Sequence, residues 1–225
     1  PGRRRWAWGL VAVPAGVCLF LTYSRGAWLL GLPAALLLVG LLAGRRVRII
    51  AVGLVALGLV GLVPLAGTAR LSSLLSGEGT ALLRTKLWEA AWEMVRDHPV
   101  LGVGLDNFLY QYPRYIRPEA WSEPNLSHPH NLVLDFWLRL GLGGVAALAW
   151  LQWHFWRAGM ALWRRKLDPQ VWALTIGLLA AMADTLAHGL IDASFFVVEL
   201  AALFAVLTGL VRSLEGEGDN CQTIH

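Results

Sequence analysis

Charged residues are scarce in this 225-residue chain, at 15%, where a soluble domain carries about a quarter. Cysteine is nearly absent. The two present, Cys18 in an apolar run and Cys221 near the C-terminus, imply no disulfide framework. There is no HExxH, no CxxC, and no His, Cys and carboxylate grouping with ligand spacing, so no metal site and no cofactor are predicted. A net charge of +4 and a pI near 9.5 sit in short clusters between apolar runs, which argues against a nucleic-acid partner. Internal repeats and low-complexity tracts are missing as well. So are an initiating methionine and a signal-peptide pattern before Pro1, and the chain is expected to be the C-terminal portion of a longer protein.

Hydrophobic residues make up 56% of the chain, with a mean hydropathy of +0.55. They gather into runs of roughly 17–20, the length that crosses a bilayer core. Twelve tryptophans fit the same setting, because indole rings favour the membrane–water interface. The fold class predicted is all-α and integral to the membrane, with about six spans near residues 6–23, 27–43, 47–66, 132–156, 171–186 and 191–210. Pro14, Pro33, Gly53 and Gly58 fall inside these runs, and spanning helices tolerate them, since neighbours satisfy the freed backbone groups.

The basic clusters Arg3-Arg4-Arg5, Arg45-Arg46 with Arg48, Arg157 with Arg164-Arg165-Lys166, and Arg212 fall at alternate ends of these spans. With all of them cytoplasmic, both termini of the chain are inside. The membrane domain is then residues 1–212, and residues 213–225 form a disordered cytoplasmic tail. The outer, periplasmic or extracellular face receives the Ser24-Arg25-Gly26 turn, a long segment over 67–129, and the turn around 187–192. Within the long segment, "TALLRTKLWEAAWEMVRD" has Leu83, Leu87, Ala90, Ala91 and Met94 at helical spacing. It predicts an amphipathic helix over 80–97, lying on the membrane or against the bundle. His98-Pro99 ends it, and the glycines of "LGVGLDNF" permit a tight turn.

Four residues on the outer face stand out. Arg25 lies between two apolar runs, on the side where basic residues are disfavoured. It can cap a turn and snorkel, or form part of a site. His128 and His130 in "SHPHN" can be metal ligands, for which further ligands nearby are scarce, or loop polar groups, or supply a base near neutral pH. Arg84 can be a solvated charge beside Lys86 and Glu89, or a ligand for an anion. Asp135 and Arg139, four apart, are expected to pair structurally. Asp184, His188 and Asp192 can line a polar cavity or serve helix packing. Jointly, Arg25, Arg84, His128 and His130 suit chemistry on a phosphate-bearing lipid, because two guanidiniums complement a pyrophosphate and a histidine suits deprotonation of a hydroxyl.

"TYSRGAW", "RTKLWEAAWEMVRDHPVLGVGLDNF" and "HPHNLVLDFWLRLGLGG" occur in this order, and together they resemble the O-antigen ligase/polymerase superfamily of bacterial envelope glycan assembly. "HGLIDASFF" is similar in style. The resemblance implies a GT-C type glycosyltransferase in the bacterial inner membrane, metal-independent and using no nucleotide sugar. It would pass a glycan from an undecaprenyl-diphosphate donor to an acceptor glycan or lipid on the periplasmic side. Arg25 and Arg84 match the family's diphosphate-binding arginines, His130 its histidine before Asn, and His128 a common companion. Arg139 departs from the pattern, standing where an acidic residue is frequent. Ligase, polymerase and protein O-glycosyltransferase chemistries share these residues. A transporter or flippase for an anionic substrate, and a non-catalytic scaffold, are the readings from other classes. The transporter reading predicts paired broken spans, and no such symmetry is visible.

Overall fold

The computed structural model describes residues 2–22, 24, 26–61, 80–193 and 195–222. Every regular element among them is helical. α1 (Gly2–Leu21) precedes a π-helical turn (Ala27–Gly31) that runs directly into α2 (Leu32–Leu42), and α3 (Arg45–Gly61) returns beside it. α4 (Thr80–Asp97) is followed by the short α5 (Phe108–Gln111) and two 3-10 turns, Tyr112–Arg114 and Pro118–Ala120. α6 (Leu132–Arg164), α7 (Pro169–Gly189) and α8 (Val198–Gln222) complete the chain.

Among the described residues, α6 and α7 are long and apolar enough to cross a membrane, while Gly9–Leu21 and Ala27–Leu42 are shorter apolar helices. α6 starts at the expected residue but runs past Trp156 into the basic cluster and ends at Arg164, since no proline occurs between Trp156 and Pro169. Asp168 then caps α7 by accepting from the Gln170 N–H, with Pro169 in the first turn, where its missing N–H costs nothing. The last helix begins at Val198 rather than near 191, and continues to Gln222 through the stretch expected to be disordered. Its start is delayed because Phe195 and Phe196 leave the helical path to pack on Phe136.

Two apolar clusters hold these elements. One joins α6, α7 and α8 through Phe155, Leu162, Leu179, Met182 and Val211, all buried. The other gathers Leu87, Ala90, Ala91, Met94 and Val95 of α4 around Phe108, Tyr112 and Leu138. The helical spacing read over 80–97 therefore describes a real helix with the same bounds, and its apolar stripe rests on protein rather than on lipid.

α6 links the two clusters, and it does so through a break. Gly141 has φ +65, outside the helical region, so the carbonyl of Leu138 and the N–H of Leu142 lose their intrahelical partners. The "HPVLGVG" loop replaces both. Val103 and Gly104 donate to the Leu138 carbonyl at 2.6 and 3.2 Å, and Leu142 donates to the Val100 carbonyl at 3.0 Å. The Trp137 indole N–H adds a bond to the Pro99 carbonyl at 2.8 Å. Beside the break, the Arg139 Nε donates to Asp135 at 2.7 Å, as the i, i+4 spacing predicts. Arg139 also reaches Asp106 and stacks over Phe196, so its positive charge is locally matched.

A Cβ on Gly141 would overlap the Val100 carbonyl, at a φ that disfavours any side chain. Gly141→Ala is therefore expected to cost ~1–3 kcal/mol from backbone strain alone. Gly143, with nothing near its would-be Cβ, is the control. Gly143→Ala should be neutral or stabilising by up to ~1 kcal/mol. Thermal melts of the two purified variants in detergent check the contrast.

Candidate functional site

The site is assembled where α6 begins. The Asn131 side-chain oxygen accepts from the N–H groups of Val133 and Leu134, at 3.1 and 3.0 Å, and so caps α6. Its amide nitrogen donates to the Leu190 carbonyl at 2.9 Å, tying the start of α6 to the end of α7. From α4, the Trp88 indole N–H donates to the Pro129 carbonyl at 3.0 Å. Three elements thereby converge on the two histidines between Ser127 and Asn131.

His130 adopts φ +48, a conformation uncommon for a non-glycine residue and concentrated at functional sites. Its Nδ1 lies 2.7 Å from an Asp192 carboxylate oxygen. The same carboxylate accepts from the Ala193 N–H at 2.9 Å. It also stands 3.6 Å from an Arg84 guanidinium nitrogen and 3.9 Å from His188 Nε2. Burial alone would push Asp192 up, but the bonds from His130 and Ala193, with the charges of His130 and Arg84, bring it down to about 2. It is therefore ionised at any physiological pH and holds the proton of His130 on Nδ1. The lone pair of His130 Nε2 is left available to accept another proton.

His128 stacks edge-on to His130, with ring centroids 4.2 Å apart, and its Nδ1 accepts from the His130 N–H at 3.3 Å. Burial, then the neighbouring His130, lowers it to about 4 against a smaller opposing pull from Asp192. His128 is thus neutral at physiological pH and works as a brace rather than a charge. A cleft of about 160 Å³ opens on this cluster, lined by Leu83, Arg84, Leu87, Glu123, Leu126 and His130. That is below the ~300 Å³ of sites that enclose a drug-sized ligand, so it accommodates one small group of a larger substrate.

Of the four residues singled out from sequence, the structure brings Arg84, His128 and His130 together. Arg25 lies outside the described residues. Its neighbour Gly26 packs against the same cluster, and a Cβ there would stand 2.8 Å from His188 Cδ2 and from the Ile191 side chain. Arg84 is not the solvated charge of the plain alternative, since Lys86 takes Glu89 at 3.0 Å and Arg84 faces Asp192. Asp192 itself was not among the predicted site residues. The sequence placed Asp192 at the turn that follows Asp184 and His188, as one group of a polar cavity or of helix packing. α7 ends at Gly189, in keeping with that turn, and the turn aims Asp192 back at His130. The "HGLIDASFF" stretch was the available signal.

Residues 10–149 match the family described as O-antigen ligase, and the chain belongs to that family. Together with the two apolar helices, this makes it a membrane protein. The chain is similar to the O-antigen ligase of Salmonella typhimurium, 27% identical over 143 residues, which covers 58% of this chain and 34% of the relative. It is also similar to the teichuronic acid biosynthesis protein TuaE of Bacillus subtilis, 28% identical over 139 residues, covering 58% of this chain and 27% of that protein. The chain thus spans about a third or less of the length of these curated relatives. The family match includes His128, His130 and Arg84 and stops before Asp192.

The lowered His128 fixes a sign for pH. Its folded value of about 4 lies below its ordinary 6.5, so the unfolded chain binds the proton first. Stability from this group is complete above about pH 6.5 and is lost as pH falls towards 4. Asp192, held at about 2, titrates below that window, where its contribution fades from about pH 4 downwards. His128→Asn should therefore flatten the fall in melting temperature between pH 6.5 and 4 relative to the wild type, which melts in detergent across that range will show.

Proposed function

We propose that this chain carries the catalytic face of a membrane glycosyltransferase of envelope polysaccharide biosynthesis. It would move a glycan from an undecaprenyl-diphosphate donor to an acceptor hydroxyl on the outer side of the bacterial inner membrane. The observation that carries the reading is the His130–Asp192 pair with Arg84 on the same carboxylate, at the edge of an open cleft. In this arrangement His130 Nε2 accepts the proton of the acceptor hydroxyl, and the freed oxygen attacks the anomeric carbon. The bond from that carbon to the diphosphate breaks, the electron pair leaves with the diphosphate, and the centre inverts. Asp192 stabilises the imidazolium that forms.

Arg84 is suited to the leaving group. Its 3.6 Å approach to Asp192 is longer than a hydrogen bond, so guanidinium donors are left for phosphate oxygens. Arg25 is assigned the second phosphate contact on the family resemblance. No metal is needed in this scheme, because the charge on the diphosphate is met by arginine. Glu123 on the cleft wall would repel an anion and suits hydroxyls of an acceptor sugar. The topology proposed with it has about six spans in a GT-C-like arrangement within a membrane domain over 1–212. Both termini are cytoplasmic and the 67–129 segment is periplasmic. O-antigen ligation or polymerisation is favoured over transport because the sequence has no paired broken spans of the kind a carrier uses, and because its polar residues gather in one long segment on one side.

The test is transfer from purified undecaprenyl-diphosphate glycan to candidate acceptors, scored by product and by release of undecaprenyl diphosphate. His130→Ala and Arg25→Ala should abolish transfer with membrane insertion intact. Arg84→Ala should cost ~2.7–4 kcal/mol of transition-state stabilisation, as loss of an oxyanion donor does, and Arg84→Lys should not restore it. Asp192→Asn should lower kcat by ~10²-fold or more with little change in donor KM. Full activity in His130→Ala, or transport of the donor without chemistry, would overturn the assignment.

A further inference from the structure

We propose that the loop after α4 inserts Val100, Leu101 and Leu105 into the outer leaflet of the bilayer, as a wedge that holds α4, and with it Arg84, at headgroup depth. The inference rests on the outer-face topology proposed above. It concerns how the protein meets lipid and not the transfer chemistry.

The wedge follows from where the apolar surface of this unit goes. An amphipathic helix lies on a membrane through its apolar stripe, but in α4 that stripe is used up. Leu87, Ala90, Ala91, Met94 and Val95 are all at most 2% exposed against protein. Trp92, Tyr110 and Trp121 are exposed aromatics of this unit, but its exposed large aliphatic side chains are all at the tip, where Leu101 is 82% exposed and Val100 and Leu105 are each 61% exposed. Leu140 and Leu142 of α6, also exposed, flank the Gly141 break on which this loop docks. An apolar patch of this kind on a water-facing loop would be a liability. Here it is continuous with the surface of a helix that crosses the membrane.

Depth can be read along α6. At 1.5 Å per residue, Leu142 stands about 22 Å from Arg157 and about 33 Å from Arg164, the two basic positions that bracket the inner boundary. A hydrocarbon core is ~30 Å thick. Leu142 therefore falls inside the core or at its outer edge, whichever arginine marks the inner headgroups. Leu142 donates its N–H to the Val100 carbonyl, so the loop tip is at the same level.

The loop is also held rigidly enough to keep its apolar side chains turned outward. Gly102 donates to the His98 carbonyl at 3.0 Å, and Val103 and Gly104 donate to Leu138. Polar and interfacial groups surround the tip. Asp97 and His98 lie on one side and Asp106 and Asn107 on the other, and Trp92 packs edge-on against Trp137 with Arg96 over its ring. Tryptophan and arginine at this position mark the headgroup level.

The experiment places a polarity-sensitive fluorophore at Leu101→Cys, in a Cys18→Ser, Cys221→Ser background. The protein is reconstituted in phosphatidylethanolamine/phosphatidylglycerol vesicles. Quenching by lipids carrying nitroxide at a shallow acyl position is compared with quenching by aqueous iodide, with the exposed position Glu119→Cys as the reference. The wedge predicts that Leu101 is quenched several-fold more by the lipid nitroxide than Glu119, and several-fold less by iodide. Adding Leu105→Glu should reverse this partly, and since both side chains are exposed the fold should keep its melting temperature. Equal iodide access at the two positions would overturn the proposal. So would protection from both quenchers that weakens on dilution, which would mean a second protein copy covers the patch. A membrane-impermeant thiol reagent that reaches the loop only from the cytoplasmic side would overturn its outer placement. If Leu101 is inserted but purified protein transfers no glycan, the functional reading fails alone. If transfer proceeds with Leu101 in water, the wedge fails alone.

Discussion

One carboxylate organises the end of this protein at which α6 begins. Asp192 sits in the turn between α7 and α8 and meets His130 from the mouth of α6, Arg84 from α4 and His188 from the end of α7. Each of these groups is a cation or can become one, and a half-buried anion at their centre offsets their mutual repulsion. Its position is secured by neutral contacts. The neighbouring Ala193 N–H holds the same oxygen that faces His130, and Asn131 fastens the adjoining Leu190 carbonyl to the α6 cap. Without that clamp the imidazole would have no preferred tautomer and the guanidinium no fixed neighbour.

The break at Gly141 is the second constraint, and it works on the backbone. A continuous α6 would bury its own carbonyls and offer nothing to the segment that follows α4. By interrupting the helix, Gly141 exposes one carbonyl and one N–H, and the loop at 98–104 satisfies both. Two polar groups that would be costly to leave unmade in a dry environment thus become the joint between the long apolar helix α6 and the unit built around α4. Arg139 strengthens the same joint. It lies between Asp135 on its own helix and Asp106 in the loop, which gives the residue that departs from the family pattern a structural place.

The two constraints act on opposite ends of α4. Its amino-terminal half presents Arg84 to Asp192, and its carboxyl-terminal end runs into the loop seated on α6. Trp88 adds a lateral bond to the chain before His130. A helix fixed at three points keeps a guanidinium at a set distance from the imidazole, as the proposed stabilisation of a leaving group requires.

Much of this was legible from residues alone. The apolar runs that became α6 and α7, the 80–97 helix, its stop at His98-Pro99, and the Asp135–Arg139 pair are all local. They follow from side-chain period, a helix-breaking proline, or a four-residue spacing, and none needs a distant partner. His128, His130 and Arg84 were visible as chemistry-bearing types on one face. Tertiary structure decided what joined them. Asp192 is 62 residues from His130, and although the turn that carries it could be read from the apolar runs, the partner it meets could not. The destination of the α4 stripe was also open, because an apolar face reads the same whether lipid or protein covers it. The break in α6 escaped for a related reason. Glycine is common in spanning helices, and only the approach of the Val100 carbonyl makes the one at 141 indispensable.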